Sequence, residues 1–109
     1  MAYNEHLAER IRRLLEGRRD VSEKKMFGGL AFMVRGNMCF GVNGDELMAR
    51  VGPGAYETAL KRKHAREMDF TGRALKGYVY VSADGVKSNV ALKSWLDRSV
   101  AFAERLPAK

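Results

Sequence analysis

Three runs of apolar residues between positions 25 and 52 are separated by two short turn sequences, Gly36-Asn37 and Asn43-Gly44. Glycine and asparagine adopt the positive backbone φ that tight hairpins require, and apolar residues flank both pairs. The pattern therefore predicts a three-stranded antiparallel meander, which we expect to form the centre of the fold.

Because side chains alternate between the two faces of a strand, in-register hairpins allow the faces of this meander to be assigned. The predicted core face comprises Phe27, Ala31, Met33, Met38, Phe40, Val42, Leu47, Ala49 and Val51. The opposite face comprises Leu30, Phe32, Val34, Cys39, Gly41, Met48 and Arg50, and it is unusually apolar for a surface that meets water. An apolar patch of this kind marks a contact site when it is left uncovered. If no other element covers them, we therefore expect a protein interface at Leu30, Phe32, Val34, Cys39 and Met48.

The rest of the chain predicts three helices and two further strands. Residues 4–16 form an amphipathic helix, residues 55–63 form a short helix, and a long final helix starts after an N-cap at Ser88. Residues 67–71 and 75–82 are short strands joined by a turn at Gly72-Arg73. The resulting order, α-β-β-β-α-β-β-α, predicts an α+β two-layer sandwich with the helices packed on one face of an antiparallel meander.

Length and cysteine content narrow the class of protein. With 109 residues the chain is predicted to be one domain spanning residues 1–109, large enough to fold without covalent staples. The single cysteine, Cys39, excludes an internal disulfide and is interpreted as a buried packing residue. The first residues are charged and lack the apolar segment of a signal peptide, and no apolar run is long enough to span a membrane. We therefore expect a cytoplasmic protein without a membrane partner.

The charge balance points toward anionic partners. Lysine and arginine number 20 against 13 acidic residues, which gives a formal net charge of +7. One basic cluster, Lys61, Arg62, Lys63 and Arg66, follows the predicted short helix, and a second includes Arg12 and Arg13 of the first helix. Both clusters are candidate nucleic-acid contacts, although a plain solvated surface explains them as well, because no groove-reading motif accompanies them.

Catalytic and metal-binding patterns are missing from the sequence. His6, His64 and Cys39 are too few to close a zinc site without carboxylate ligands, and no acid/base pair or phosphate-binding loop is recognisable. The segment Gly52-Pro53-Gly54 could hold an anion at a helix start, but a plain turn explains it. We expect neither an enzyme nor a cofactor, and a small-molecule-binding or enzymatic domain is the least favoured hypothesis.

Several segments resemble the TfoX/Sxy N-terminal domain family. The most specific are Lys25-Met26-Phe27-Gly28-Gly29 and Met68-Asp69-Phe70-Thr71-Gly72-Arg73, and the resemblance extends to the final WLDRSVAFAERLP. It implies the same element order and a role in regulation, since named members control natural competence together with the cyclic-AMP receptor protein and have no established enzymatic activity. Those regulators usually carry a second, C-terminal domain, and this chain is expected to represent the N-terminal domain alone.

Two hypotheses of function follow. The first is a small non-enzymatic regulatory domain that contacts a protein partner, or a second copy of itself as a homodimer, through the apolar sheet face. The alternative is direct nucleic-acid binding through the basic clusters, with several phosphate contacts and a strong dependence on salt.

Overall fold

The computed structural model describes residues 3–26, 28–70 and 73–107. The described elements are three helices, α1 (Glu5–Leu14), α2 (Tyr56–Leu60) and α3 (Asn89–Glu104), and six strands, β1 (Val21–Met26), β2 (Gly29–Val34), β3 (Asn37–Asn43), β4 (Glu46–Arg50), β5 (Ala65–Phe70) and β6 (Arg73–Val81). Their order along the chain, α-β-β-β-β-α-β-β-α, confirms the predicted α+β class and contains one strand more than predicted. Short 3₁₀ turns at Pro53–Ala55 and Ala83–Val86 precede α2 and α3.

All six strands belong to one antiparallel sheet with the spatial order β1-β2-β3-β4-β6-β5. The additional strand is β1, which pairs with β2 from Val21↔Val34 to Met26↔Gly29. Its residues Ser22, Glu23, Lys24 and Lys25 are exposed and do not alternate with apolar ones, so periodicity gave no signal for it. Charged residues are common on such edge strands, because they discourage pairing with another chain.

The local sequence sets the ends of the helices. The Asn4 side chain accepts hydrogen bonds from the backbone amides of His6 and Leu7 at 2.9 and 3.1 Å, which caps α1. The predicted N-cap of the last helix is confirmed, since Ser88 Oγ accepts from the Ala91 amide at 3.1 Å. None of the described helices has the length and apolar character needed to cross a membrane.

A β-bulge in the second hairpin corrects the predicted faces. The hairpin loop is Arg35-Gly36, both with positive φ, one residue earlier than predicted. Pairing continues from Met33↔Met38 to Phe32↔Phe40, so Cys39 is the extra residue on β3. Because of this extra residue, Phe40 and Val42 of β3 lie on the same face of the sheet as Phe32 and Leu30 of β2. The face that carries Leu30, Phe32 and Val34 is consequently the core face.

The helices cover this one face of the sheet. α3 packs on β2, β3 and β4, α2 packs on β5 and β6, and α1 lies against β3 and α3. The core is built around Phe32 and Phe40, whose rings are stacked with their centroids 5.4 Å apart. The predicted inward side of α3 is buried at Leu92, Trp95, Leu96 and Ala103. The predicted two-layer arrangement, with helices on one face, is thus the arrangement found.

The other face of the sheet holds a second, smaller cluster. Met48, Met68 and Tyr80 are buried there, with Met38 and Tyr78 packed at its margin. Met33 and Met38, which were predicted to face the main core, are opposite each other outside that core and only partly buried. The predicted core position of Phe27 and the turn residue Gly72 lie outside the described residues.

Candidate nucleic-acid interface

The densest basic cluster forms the connection between α2 and β5. The predicted helix over residues 55–63 is shorter than expected: α2 ends at Leu60, and Lys61, Arg62, Lys63 and His64 form an exposed turn that we call the basic loop. The loop is held in place by backbone contacts, because the Ala65 amide donates to the Arg62 carbonyl at 3.2 Å and the Ser82 amide donates to the His64 carbonyl at 3.0 Å.

Tight packing fixes the end of the basic loop. His64 has a φ of 74°, in the left-handed region that non-glycine residues rarely occupy. Its side chain lies against Gly85, where an added Cβ atom would come within 2.7 Å of the His64 Cβ. The contact with Gly85 and the hydrogen bond from Ser82 together hold the loop against the 3₁₀ turn before α3.

Trp95 joins the basic loop to α3. The guanidinium carbons of Arg62 and Arg98 each lie 5.7 Å from the centre of the Trp95 ring, a distance at which cations are attracted to an aromatic ring. The two guanidinium carbons therefore lie no further from each other than twice this distance. Trp95 itself is 4% exposed, so the tryptophan serves as a buried support for the two cationic groups.

A groove of about 350 Å³ runs between the basic loop and the first half of α3. Ala91, Ser94 and Trp95 line its helical side, and Arg62, Lys63 and His64 line the opposite side. Asp84 is the one carboxylate among its described lining residues. The surface formed by Lys61, Arg62, Lys63 and Arg98 is called the basic surface below.

The two other predicted nucleic-acid contacts on α1 lie on a different part of the molecule. Arg12 forms ion pairs with Glu23 at 2.7 Å and Glu9 at 3.1 Å, and its approach to Glu5 is 3.6 Å. This arrangement lowers the pKa of the Glu23 carboxyl, chiefly through the hydrogen bonds that Arg12 donates to it. Arg13 is exposed. Because Arg12 is tied to β1 whereas α2 packs on β5 and β6, the two basic clusters lie toward opposite edges of the sheet.

Arg66 also differs from its neighbours in the sequence cluster. Its guanidinium group lies 4.7 Å from the centre of the Tyr80 ring and reaches across that strand to pair with Glu46 on β4. The negative charge of a paired carboxylate offsets the attraction between the arginine and a phosphate. The predicted contact residues thus fall into two groups. Arg12 and Arg66 form ion pairs, whereas Lys61, Arg62 and Lys63 form none among the described residues.

The expected protein interface on the sheet is not an exposed patch. Leu30, Phe32, Val34 and Cys39 are 5% exposed or less and belong to the main core, because the bulge turns their part of the sheet toward the helices. Met48 lies on the other face but is also buried, against Met68 and Tyr80. The interface was expected only if these five residues were left uncovered, and their burial shows that this condition is not met.

Chemically reactive groups are scarce in the described part of the chain. Burial raises the pKa of the Cys39 thiol to about 12, so the thiolate needed for nucleophilic chemistry or metal binding is disfavoured. This agrees with the interpretation of Cys39 as a packing residue. Over residues 3–26, 28–70 and 73–107, no group of three or more His, Cys, Asp or Glu side chains is arranged to hold a metal ion.

Arg98 and Arg105 were not among the basic residues predicted from the sequence to contact a partner. Arg98 lies on α3 three residues after Trp95, and Arg105, seven residues beyond Arg98, caps the end of this helix. A seven-residue spacing places two side chains on the same side of a helix. A search for arginines at helical spacing from the tryptophan would have identified Arg98, and the seven-residue spacing from Arg98 leads to Arg105.

Comparison with protein families connects these observations to a known domain. The model of the TfoX N-terminal domain matches residues 13–103. No curated protein and no solved structure matches the chain. The family is regulatory, and no enzymatic activity is indicated for it. Since the match covers most of the 109 residues and the fold has the expected class, the chain belongs to the TfoX N-terminal domain family.

Proposed function

We propose that this domain is a regulatory module that acts by binding rather than by catalysis, and that it binds duplex nucleic acid. The observation that supports this most directly is the basic surface. Arg62 and Arg98 meet over the Trp95 ring, Lys63 lines the adjoining groove with Arg62, and Lys61 precedes Arg62 in the exposed loop. None of these four cations forms an ion pair within the described residues. Such a surface attracts the phosphate backbone.

The arrangement favours phosphate contacts over base contacts. Trp95 is buried beneath Arg62 and Arg98, and Tyr80 lies beneath Arg66, so these rings offer no free face on which an unpaired base could stack. Phosphate contacts position a protein on a duplex without reading its sequence. The proposed binding is accordingly independent of sequence and stronger for duplex than for single strands.

The size of the molecule sets the length of duplex that one copy covers. The longest extent of the domain is 33 Å. Since successive phosphates on one strand advance by about 3.4 Å along the helix axis, a copy bound along this direction covers about ten base pairs. A duplex of fifteen to twenty base pairs is therefore a suitable probe.

The test is fluorescence anisotropy with a labelled random-sequence duplex at low salt. The double variant Arg62→Ala/Lys63→Ala should bind about ten- to a hundredfold more weakly than the native protein, because two phosphate contacts are lost. The charge-preserving variant Arg62→Lys/Lys63→Arg should bind within about twofold of the native protein.

A second double variant, Arg13→Ala/Lys24→Ala, is the matched control. It removes the same number of positive charges toward the opposite edge of the sheet, where both residues are exposed. Its affinity should change by less than threefold. Equal losses in the two alanine variants would show a response to net charge alone and would contradict a localised interface.

A further inference from the structure

A second concave feature lies beside the basic surface, between the start of α2 and the second half of α3. We call it the notch; its volume is about 210 Å³. Its walls are apolar and consist of Val51, Ala55, Ala59, Ala101 and Phe102. Pockets for small-molecule ligands usually have volumes of about 300–1,000 Å³, so the notch is better suited to one or two side chains than to a complete ligand.

The wall of the notch is rigid on one side. The Phe102 ring packs directly on Gly52, and any side chain at position 52 would overlap the ring atoms. The Arg50 guanidinium carbon also lies 5.3 Å from the centre of the Phe102 ring. Because Gly52 has a φ of 88° and lies in the segment leading into α2, the ring and α2 are held in a fixed relation. The notch therefore exists before any partner binds.

The rim of the notch is positively charged. Arg98 and Arg105 lie on it, and seven helical residues separate them by about 10 Å along the axis of α3. No carboxylate is among the described residues that line the notch. Apolar walls with two arginines at the rim complement an apolar side chain that has acidic neighbours.

We propose that the notch receives an apolar side chain from an acidic segment of a partner protein. Interfaces commonly depend on an anchor side chain that fills a pocket and is surrounded by polar contacts at the rim. A nucleic-acid backbone does not fit the same observations, since hydrated phosphates gain nothing from alanine and phenyl walls. The protein contact shares Arg98 with the proposed nucleic-acid contact but differs from it in its apolar walls and in Arg105, and it does not depend on nucleic-acid binding.

The test uses a nine-residue peptide, blocked at both ends, in which one phenylalanine is flanked on each side by four aspartates. Two control peptides replace the phenylalanine by serine or all aspartates by asparagine. Binding is followed through backbone amide chemical shifts of the full chain. The acidic phenylalanine peptide should shift the amides of α2 and of residues 98–105, with an affinity at least fivefold higher than that of either control.

Protein variants locate the contact. Ala101→Leu fills the notch without changing charge, at an exposed helical position that tolerates leucine, and it should reduce peptide affinity at least fivefold. Ala101→Ser keeps the notch open and should bind the peptide as the native protein does. Both variants should retain native affinity for the duplex probe.

Three results would overturn the proposal. The serine peptide could bind as tightly as the phenylalanine peptide, which would reduce the contact to charge attraction. The amides around the notch could remain unshifted at millimolar peptide. Alternatively, Ala101→Leu could weaken duplex binding as strongly as peptide binding, which would make the notch part of the nucleic-acid interface.

Discussion

Phe32 occupies the centre of the main core, stacked on Phe40 and fully buried. Phe32→Ala should lower the free energy of unfolding by about 3–5 kcal/mol, since it removes buried apolar area and leaves a cavity. Urea or thermal unfolding measures the change. The milder Phe32→Leu should show the same direction if the alanine variant does not fold.

The neighbouring residue Met33 provides the matched control for this prediction. It points away from the main core and is only partly buried, so Met33→Ala should cost less than half as much as Phe32→Ala. A larger loss of stability in Met33→Ala than in Phe32→Ala would support the sheet faces predicted from the hairpin pattern. It would contradict the bulge at Cys39.

The ion pairs between α1 and β1 make a pH-dependent contribution at the residue scale. The hydrogen bonds from Arg12 hold the pKa of Glu23 below its ordinary value. A carboxyl whose pKa is lower in the folded than in the unfolded state stabilises the fold above the unfolded pKa, and this stabilisation is lost as the pH falls through the folded pKa.

Glu23→Gln should therefore destabilise the protein at pH 7, by about 0.5 kcal/mol because the pair is partly exposed and screened. The difference from the native protein should disappear as the pH falls well below 4. Thermal unfolding over this pH range measures it, with Glu16→Gln, at an exposed site after α1, as the unaffected control. A difference that persists undiminished at low pH would show that the pair does not carry the effect.

At the scale of elements, the turn glycines could be predicted from the sequence, but the loop boundaries and the strand register could not. The two loops are Arg35-Gly36 and Gly44-Asp45, whereas Asn37 and Asn43 of the predicted turns are the end residues of β3. Gly36 and Gly44 do supply positive φ in the second and third hairpins, because few other residues adopt it without strain. The bulge gave no signal, since Cys39 lies between Met38 and Phe40 in a run that is apolar throughout. One extra residue was enough to transfer Leu30, Phe32 and Val34 from the predicted interface to the core.

The candidate site shows the same division. The local charge density identified Lys61, Arg62 and Lys63, which the structure exposes together. Whether an arginine is engaged depends on partners distant in the chain, such as Glu46 for Arg66 and Glu23 for Arg12. Likewise, Arg98 joins Arg62 only because both pack over Trp95. These contacts depend on tertiary packing, so the local sequence pattern does not predict them.

At the scale of the whole molecule, which carries a net charge of +7, some basic side chains form ion pairs and others do not. Arg12, Arg18 and Arg66 are bound to carboxylates, and Lys93 pairs with Asp97. The exposed Lys24 and Lys25 lie on an edge strand, where charge discourages aggregation. The basic surface therefore stands out as a group of neighbouring cations that form no ion pair among the described residues, two of which lie over the buried Trp95 ring. We therefore propose that this surface makes the phosphate contacts.

The salt dependence of duplex binding tests this claim most directly. Four phosphate contacts, from Lys61, Arg62, Lys63 and Arg98, predict that the logarithm of the association constant falls with the logarithm of salt concentration with a slope of about −4. Lys61→Ala/Arg62→Ala/Lys63→Ala should reduce the slope to about −1, whereas Arg13→Ala/Lys24→Ala should leave it unchanged. A native slope near zero, or a slope that the triple variant does not alter, would contradict the account.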